Sequence, residues 1–129
     1  MNYVIIGNSA AAIGCIEGIR QKDKTGDITV ISNEPYHTYG RPLISYLLWG
    51  KTTLKKMDYR PKTFYQDNQV KPMLGRTAEK IDVTGKQVYL DGGETVKYGK
   101  LLIAAGSRPF IPPMEGYDKV ENKFTFMSL

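Results

Sequence analysis

The chain has 129 residues, of which 41% are hydrophobic and 24% are charged, so it is long enough for one globular domain with a real core. Its apolar runs fall far short of the roughly 18 residues that a membrane span requires, and we expect neither a span nor a signal peptide. The net charge of +5 comes from basic residues scattered along the chain, which argues against nucleic-acid binding. The single cysteine, Cys15, cannot form an internal disulfide and indicates a reducing cytoplasm.

The beginning of the chain predicts a strand, a glycine turn and a helix. Tyr3–Ile6 is an apolar, β-branched run typical of a strand buried on both faces, and Gly7 ends it. A helix is predicted from Ser9 to Lys22 or Lys24, with isoleucines on its inner face and with Gly18 where the helix approaches the sheet. A strand that leads through a glycine into a helix points free N–H groups and the positive helix end at an anion.

The middle of the chain continues this pattern. Ile28–Ser32 predicts a second strand, which would lie parallel and next to the first. Pro61–Asn68 predicts a short helix, and Val70–Leu74 predicts an edge strand because Pro72 has no N–H to donate. Between these elements a further helix is expected to begin at Pro42 and to end before Gly50. That helix would turn four apolar side chains inward: Leu43, Ile44, Leu47 and Leu48.

The last third changes character. Three segments alternate apolar and polar residues and are separated by turn sequences rich in glycine, which predicts a three-stranded antiparallel meander. These segments are Ala78–Val83, Lys86–Leu90 and Glu94–Tyr98. The continuous apolar run Leu101–Ala105 predicts another buried parallel strand, and Asn122–Leu129 is expected to add a short one.

The turn after the first strand has the spacing of the dinucleotide-binding motif G-x-G-x-x-G, but only its first glycine is present. Gly7, Ser9 and Ala12 occupy the three positions, and by itself this is a weak signal. Glu34 strengthens it, because it lies 22 residues beyond Ala12 (34 − 12), and an acid that binds ribose hydroxyls is expected about 20 residues on. A carboxylate there would repel a 2′-phosphate. The competing interpretation is a solvated glutamate in a turn.

Three stretches together carry a resemblance to a known family. They are VIIGNSAAA at 4–12, EPY to RPLIS at 34–45, and LLIAAGSRP at 101–109. In this order they resemble the N-terminal FAD-binding portion of the pyridine-nucleotide-dependent flavoprotein oxidoreductases, such as NADH:rubredoxin reductases, ferredoxin reductases and nitrite reductase large subunits. The resemblance implies an α/β, Rossmann-like fold in which a parallel sheet with helices carries a three-stranded antiparallel β-meander.

The resemblance also implies which residues contact FAD. Eleven positions match the family pattern: Gly7, Ser9, Ala11, Ala12, Glu34, Arg41, Pro42, Ala78, Ala105, Gly106 and Arg108. The first four would cradle the pyrophosphate, and Glu34 would hold the adenosine ribose. Arg41 and Pro42 would lie along the pyrophosphate towards the flavin, and Ala78 would contact adenine through its backbone. Ala105, Gly106 and Arg108 match the stretch where the chain of family members passes the cofactor a second time.

Several positions depart from the family or narrow the subclass. Ser9 replaces a glycine, Ala105 replaces a threonine, and Tyr46 stands where many relatives have a lysine near the flavin. The resemblance implies a cysteine pair in the family's disulfide reductases and one thiol near the flavin in its peroxidase-like and coenzyme A-disulfide branches. No cysteine lies between residues 41 and 50, so direct electron transfer from the flavin to an external partner fits better. Cys15 is expected to be a buried packing residue. His37, the only histidine, lacks companions for a metal site and is expected on a loop or the surface.

The three loop aromatics Tyr36, Tyr39 and Trp49 are expected to pack a helix against the sheet, with shielding of the flavin as the alternative.

Complete members of this family also have an NAD(H)-binding domain and a C-terminal interface domain, so residues 1–129 resemble a partial FAD-binding domain. The resemblance implies that the intact protein passes electrons from NADH through FAD to a small rubredoxin- or ferredoxin-like protein or a fused centre. By itself the chain is expected to be inactive, to bind FAD weakly at most and to self-associate through its domain-facing surface. The alternatives are a free-standing Rossmann-like nucleotide-binding module and a structural module without a cofactor.

Overall fold

The computed structural model describes all 129 residues, which form seven strands and three α-helices. In chain order these are β1 (Asn2–Ile6), α1 (Ala10–Lys22), β2 (Asp27–Ser32), α2 (Ile44–Leu48), α3 (Phe64–Asp67), β3 (Val70–Leu74), β4 (Ala78–Asp82), β5 (Gln87–Leu90), β6 (Thr95–Lys97) and β7 (Lys100–Ile103). No helix combines the length and apolar character needed to cross a membrane.

The strands form two sheets. Four parallel strands have the order β3-β2-β1-β7, and β4, β5 and β6 form a separate antiparallel meander. The predicted α/β fold, with a parallel sheet and a three-stranded antiparallel meander, is therefore confirmed. β3 lies at the edge of the parallel sheet, as Pro72 predicts.

The two faces of the parallel sheet are buried against different layers, because successive side chains of a strand point to opposite faces. Ile5 and Val30, which are partners in the β1–β2 register, pack against α1 and Phe64 of α3. Val4 and Ile31 point the other way and pack against Val88 and Leu90 of β5. The meander thus covers the face of the sheet opposite α1.

Helix α1 is held to the sheet by Ala12, Ile13 and Ile16, none of which is exposed. The prediction that Gly18 lies where the helix approaches the sheet is wrong, because Gly18 is exposed and a Cβ added there would meet no atom within 4 Å. Ala12, which belongs to the core, lies on a different face of the helix from Gly18.

Helix α2 follows a 3₁₀ turn at Arg41–Leu43, which begins the helical segment close to Pro42 as predicted. Ile44 is buried, but the prediction that Leu48 also points inward is wrong, since 79% of it is exposed. The small apolar cluster under this segment, centred on Tyr39, Ile44 and Met57, takes in Leu43 and Leu47 but does not extend to the helix end.

The end of the chain differs most from the prediction. β7 pairs only with β1 and is a sheet edge, so Leu101 and Leu102 are half-buried and Ile103 is exposed. The predicted strand at Asn122–Leu129 does not form. The aromatic side chains Phe124 and Phe126 in this segment are exposed.

Candidate cofactor site

A cavity of about 510 Å³ opens at the carboxyl ends of β1, β2 and β7. From β1 the chain builds the sheet outward through β2 and β3, whereas β7 lies on the other side of β1. Ligands of open α/β sheets bind at such a reversal of strand order, outside the carboxyl ends of the strands. The volume is within the range of about 300–1,000 Å³ that is usual for small-molecule sites.

The turn after β1 brings the backbone very close to the segment that follows β7. Gly7 has a φ of +121°, and an added Cβ would lie 2.1 Å from the carbonyl oxygen of Ala104. The N–H of Gly7 donates to the carbonyl oxygen of Ile31 at 2.8 Å. A residue with a side chain fits neither this conformation nor this space, so glycine is required here.

The N-terminus of α1 begins immediately after this turn and is free to receive an anion. Ser9 is the N-cap residue, but its side chain makes no capping hydrogen bond, and the first turn contains no acidic residue. No hydrogen bond within the chain uses the N–H groups of Ala10, Ala11 or Ala12. Three unpaired donors at the positive end of a 13-residue helix suit a phosphate group.

Asn8 fastens this turn to the loop that follows β2. Its Nδ2 donates to the carbonyl oxygen of Tyr36 at 3.2 Å, and its Oδ1 accepts a hydrogen bond of 2.7 Å from the hydroxyl of Tyr65. The Tyr65 hydroxyl also accepts from the N–H of Thr38 at 3.2 Å, and burial raises the pKa of Tyr65. The sequence motif treats Asn8 as a variable position and so did not identify this role.

Glu34 lines the same cavity, after the end of β2. Its N–H donates to the hydroxyl oxygen of Ser32 at 3.3 Å, which shapes the turn. One carboxylate oxygen is paired with the guanidinium of Arg41, and the other accepts a hydrogen bond of 2.5 Å from the hydroxyl of Tyr39. Arg41 also donates to the carbonyl oxygen of Met127 at 2.8 Å. The cavity therefore presents a fixed carboxylate.

Arg76 connects the cavity to the meander. Its Nε atom lies 2.8 Å from a carboxylate oxygen of Asp91, and its Nη1 atom lies 2.8 Å from one of Glu94. The backbone N–H of Arg76 donates to the carbonyl oxygen of Ser32. The guanidinium lowers the pKa of Asp91. Ala78 follows at the start of β4, so this network fixes the backbone that borders the cavity.

The structure brings together eight of the eleven residues that the resemblance implied. The residues that line the cavity are Gly7, Ser9, Glu34, Arg41, Ala78, Ala105, Gly106 and Arg108. Ala11 lies in the first turn of α1 with its side chain exposed, Ala12 is in the core, and Pro42 is exposed on the 3₁₀ turn. Twelve further lining residues were not among the predicted contacts, and five of those with polar side chains are Asn8, Asn33, Arg76, Thr77 and Ser107.

The remaining candidates lie outside the cavity. The Nε2–H of His37 donates to the carbonyl oxygen of Arg60 at 3.0 Å. Cys15 is half-buried against the core, as expected of a packing residue, and burial raises the pKa of its thiol. The prediction that the loop aromatics pack a helix against the sheet is wrong for Tyr36 and Trp49, which are 42% and 70% exposed. Tyr39 is buried beside α2, but in a cluster that contains no residue of the sheet.

A parallel sheet with a glycine turn, a free helix N-terminus and an acid after the second strand defines a dinucleotide-binding type of domain. The chain belongs to the pyridine nucleotide-disulphide oxidoreductase family, which it matches over residues 1–128.

Three relatives illustrate the match. The chain is 34% identical over 117 residues to the assimilatory nitrate reductase electron transfer subunit of Bacillus subtilis, and the alignment covers 90% of this chain and 15% of that protein. The NADH:rubredoxin oxidoreductase structure from Clostridium acetobutylicum superposes with a TM-score of 0.78 at 26% identity, over 97% of this chain and 32% of that one. The covalent putidaredoxin reductase–putidaredoxin complex superposes with a TM-score of 0.79 at 26% identity, over 87% of this chain and 27% of that one. The chain thus spans less than a third of each relative.

Proposed function

We propose that the chain binds FAD and forms the N-terminal part of an FAD-binding domain in an NAD(P)H-dependent flavoprotein oxidoreductase. The observation that carries this proposal is one cavity lined both by an unpaired helix N-terminus beside Gly7 and by Glu34. An anion site and a diol site in one cavity match the two ends of the ADP half of the cofactor.

Each part of the cavity then has a role in binding. The N–H groups of the first α1 turn and the absent side chain of Gly7 would receive the pyrophosphate, and Glu34 would accept hydrogen bonds from the ribose hydroxyls. Arg41 and Arg108 line the same cavity and would neutralise phosphate charge. When bound, the flavin supplies hydride acceptance and electron transfer. The ten-residue segment Lys100–Pro109 would border it from the β7 side.

In the intact protein, we propose, NADH bound on a separate domain reduces the FAD, and the electrons pass to a small redox protein or a fused centre in a reducing cytoplasm. Relatives support this direction of transfer, since one is an electron transfer subunit of nitrate reductase and another is a reductase crystallised with putidaredoxin. The free thiol Cys15, which is outside the cavity, supports a route without a disulfide on this chain.

The test is a titration of the 129-residue chain with FAD and with ADP. Binding is measured by isothermal titration calorimetry and by changes in NMR chemical shifts. We expect saturable binding of both ligands and a yellow complex with FAD. Glu34→Gln should weaken ADP binding by about tenfold or more, because a hydrogen bond to a charged group contributes about 1.5–3 kcal/mol. Glu115→Gln, at an exposed carboxylate without an ion pair, is the matched control and should bind like the wild type.

Absence of binding by the wild-type chain would reject the proposal in favour of a module with only a structural role. Binding of ADP with no binding of FAD would favour a nucleotide-binding module. We expect no steady oxidation of NADH by the chain with added FAD.

A further inference from the structure

We infer that Tyr39 is a positioning residue of this site, which holds Glu34 and Arg41 in the arrangement that selects a ribose diol joined to a diphosphate. The inference rests on the proposed binding of FAD. It starts from two contacts of a single side chain. The Tyr39 hydroxyl donates to one oxygen of the Glu34 carboxylate at 2.5 Å, and the Arg41 guanidinium carbon lies 5.2 Å from the centre of the Tyr39 ring.

Tyr39 itself is rigidly placed. Only 8% of it is exposed, and its ring packs in the cluster with Ile44 and Met57. The backbone on both sides is paired with the segment at residues 57–59, through the hydrogen bonds from Gly40 N–H to Met57 O at 2.7 Å and from Tyr59 N–H to Thr38 O at 3.0 Å. A side chain fixed in this way can fix the groups that contact it.

The hydroxyl of Tyr39 is a dependable donor. Burial and the bond to Glu34 raise its pKa to about 12, so the phenol keeps its proton at neutral pH. Tyr39 bonds one carboxylate oxygen of Glu34 and so fixes the orientation of the group, while each oxygen keeps lone pairs for further donors. In this structure Arg41 is the partner of the other oxygen.

Binding of the ADP group would exchange this partner. The diphosphate would attract Arg41 from Glu34, and the carboxylate, still held by Tyr39, would accept hydrogen bonds from both ribose hydroxyls. A ligand that has only the diphosphate or only the ribose diol would break the ion pair but would provide a new partner for only one of its members, Arg41 or Glu34. The hydroxyl of Tyr39 holds the Glu34 carboxylate in place. Glu34 therefore depends on Tyr39 for its selectivity for a diol.

The experiment compares ADP with 2′,3′-dideoxy-ADP on the wild-type chain and on Tyr39→Phe, which keeps the ring and removes the hydroxyl. For the wild type we expect a clear preference for ADP. For Tyr39→Phe we expect ADP binding to weaken by about tenfold, the order of one hydrogen bond to a charged group, with little change for the dideoxy ligand. The preference for the diol should thus largely disappear.

Two further variants separate positioning from general stability. Tyr59→Phe alters an exposed tyrosine that does not line the cavity, and it should keep the wild-type preference. In a Glu34→Gln background, Tyr39→Phe should have little further effect on ADP, because the carboxylate it positions is gone.

The outcomes are distinguishable. If Tyr39→Phe keeps the diol preference, or weakens both ligands by the same factor, the inference is overturned while the proposed FAD site stands. If the wild-type chain binds neither FAD nor ADP, the proposed function fails and the inference fails with it.

Discussion

Replacing Gly7 by alanine tests the geometry on which the whole site depends. The added Cβ would lie 2.1 Å from the carbonyl oxygen of Ala104 and 2.6 Å from its carbonyl carbon. An ordinary contact begins at 3.4 Å, so the two backbones would have to separate by about 1.3 Å (3.4 − 2.1). The Ala104 N–H donates to the carbonyl oxygen of Ile6 at 2.7 Å, and this bond would be strained by the same movement.

The magnitude follows from two costs. A side chain at a φ of +121° costs about 1–3 kcal/mol of backbone strain. Forcing atoms into a packed site with a backbone shift costs typically about 1–3 kcal/mol more. We therefore expect Gly7→Ala to lower the free energy of unfolding by about 2–6 kcal/mol, a large part of the total of about 5–15 kcal/mol for a domain. This corresponds to a fall in Tm on the order of 10 °C.

The assay is thermal and urea unfolding followed by circular dichroism. The matched control is Gly18→Ala, in the middle of α1, where an added Cβ meets no atom within 4 Å. Alanine there should raise stability by about 0.5–1 kcal/mol, because glycine is the poorer helix former. The same chemical change is thus expected to act with opposite sign at the two sites. A Gly7→Ala chain as stable as the wild type would refute the close approach of the β1 turn to the β7 extension.

Two more predictions concern titrating groups. The pKa of Asp23 is lowered from 3.8, first by the Gly26 N–H and then by the Thr25 N–H, so its carboxylate stabilises the fold above about pH 4 and this contribution is lost as the pH falls through the folded pKa. Urea unfolding should therefore show a difference between wild type and Asp23→Asn that is larger at pH 7 than at pH 3; an equal difference would contradict the assignment. Burial raises the pKa of Cys15, so at pH 8 a thiol reagent should react markedly faster with the urea-unfolded chain than with the native chain. Equal rates would mean that the thiol is not shielded by the core.

Local patterns were sufficient to predict most of the elements. The β-branched run before Gly7 and the alternation of residues 78–98 correspond to β1 and to the meander, because burial on two faces or on one face leaves a direct pattern in the sequence. The patterns failed where burial depends on a neighbour from elsewhere in the chain. Leu48 and Ile103 are apolar and occur in suitable patterns, yet both are exposed because no other element covers them.

By itself, the sequence determined the order of the elements, the need for a glycine at position 7 and the spacing that made Glu34 a candidate. These are properties of neighbouring residues and of fixed separations along the chain. Only the tertiary structure decided that Arg76 borders the cavity, that Ala12 belongs to the core, and that the hydroxyl of Tyr39 reaches Glu34. Such contacts depend on how the sheet, the α2 cluster and the meander pack together, and no period or spacing in the sequence records that packing.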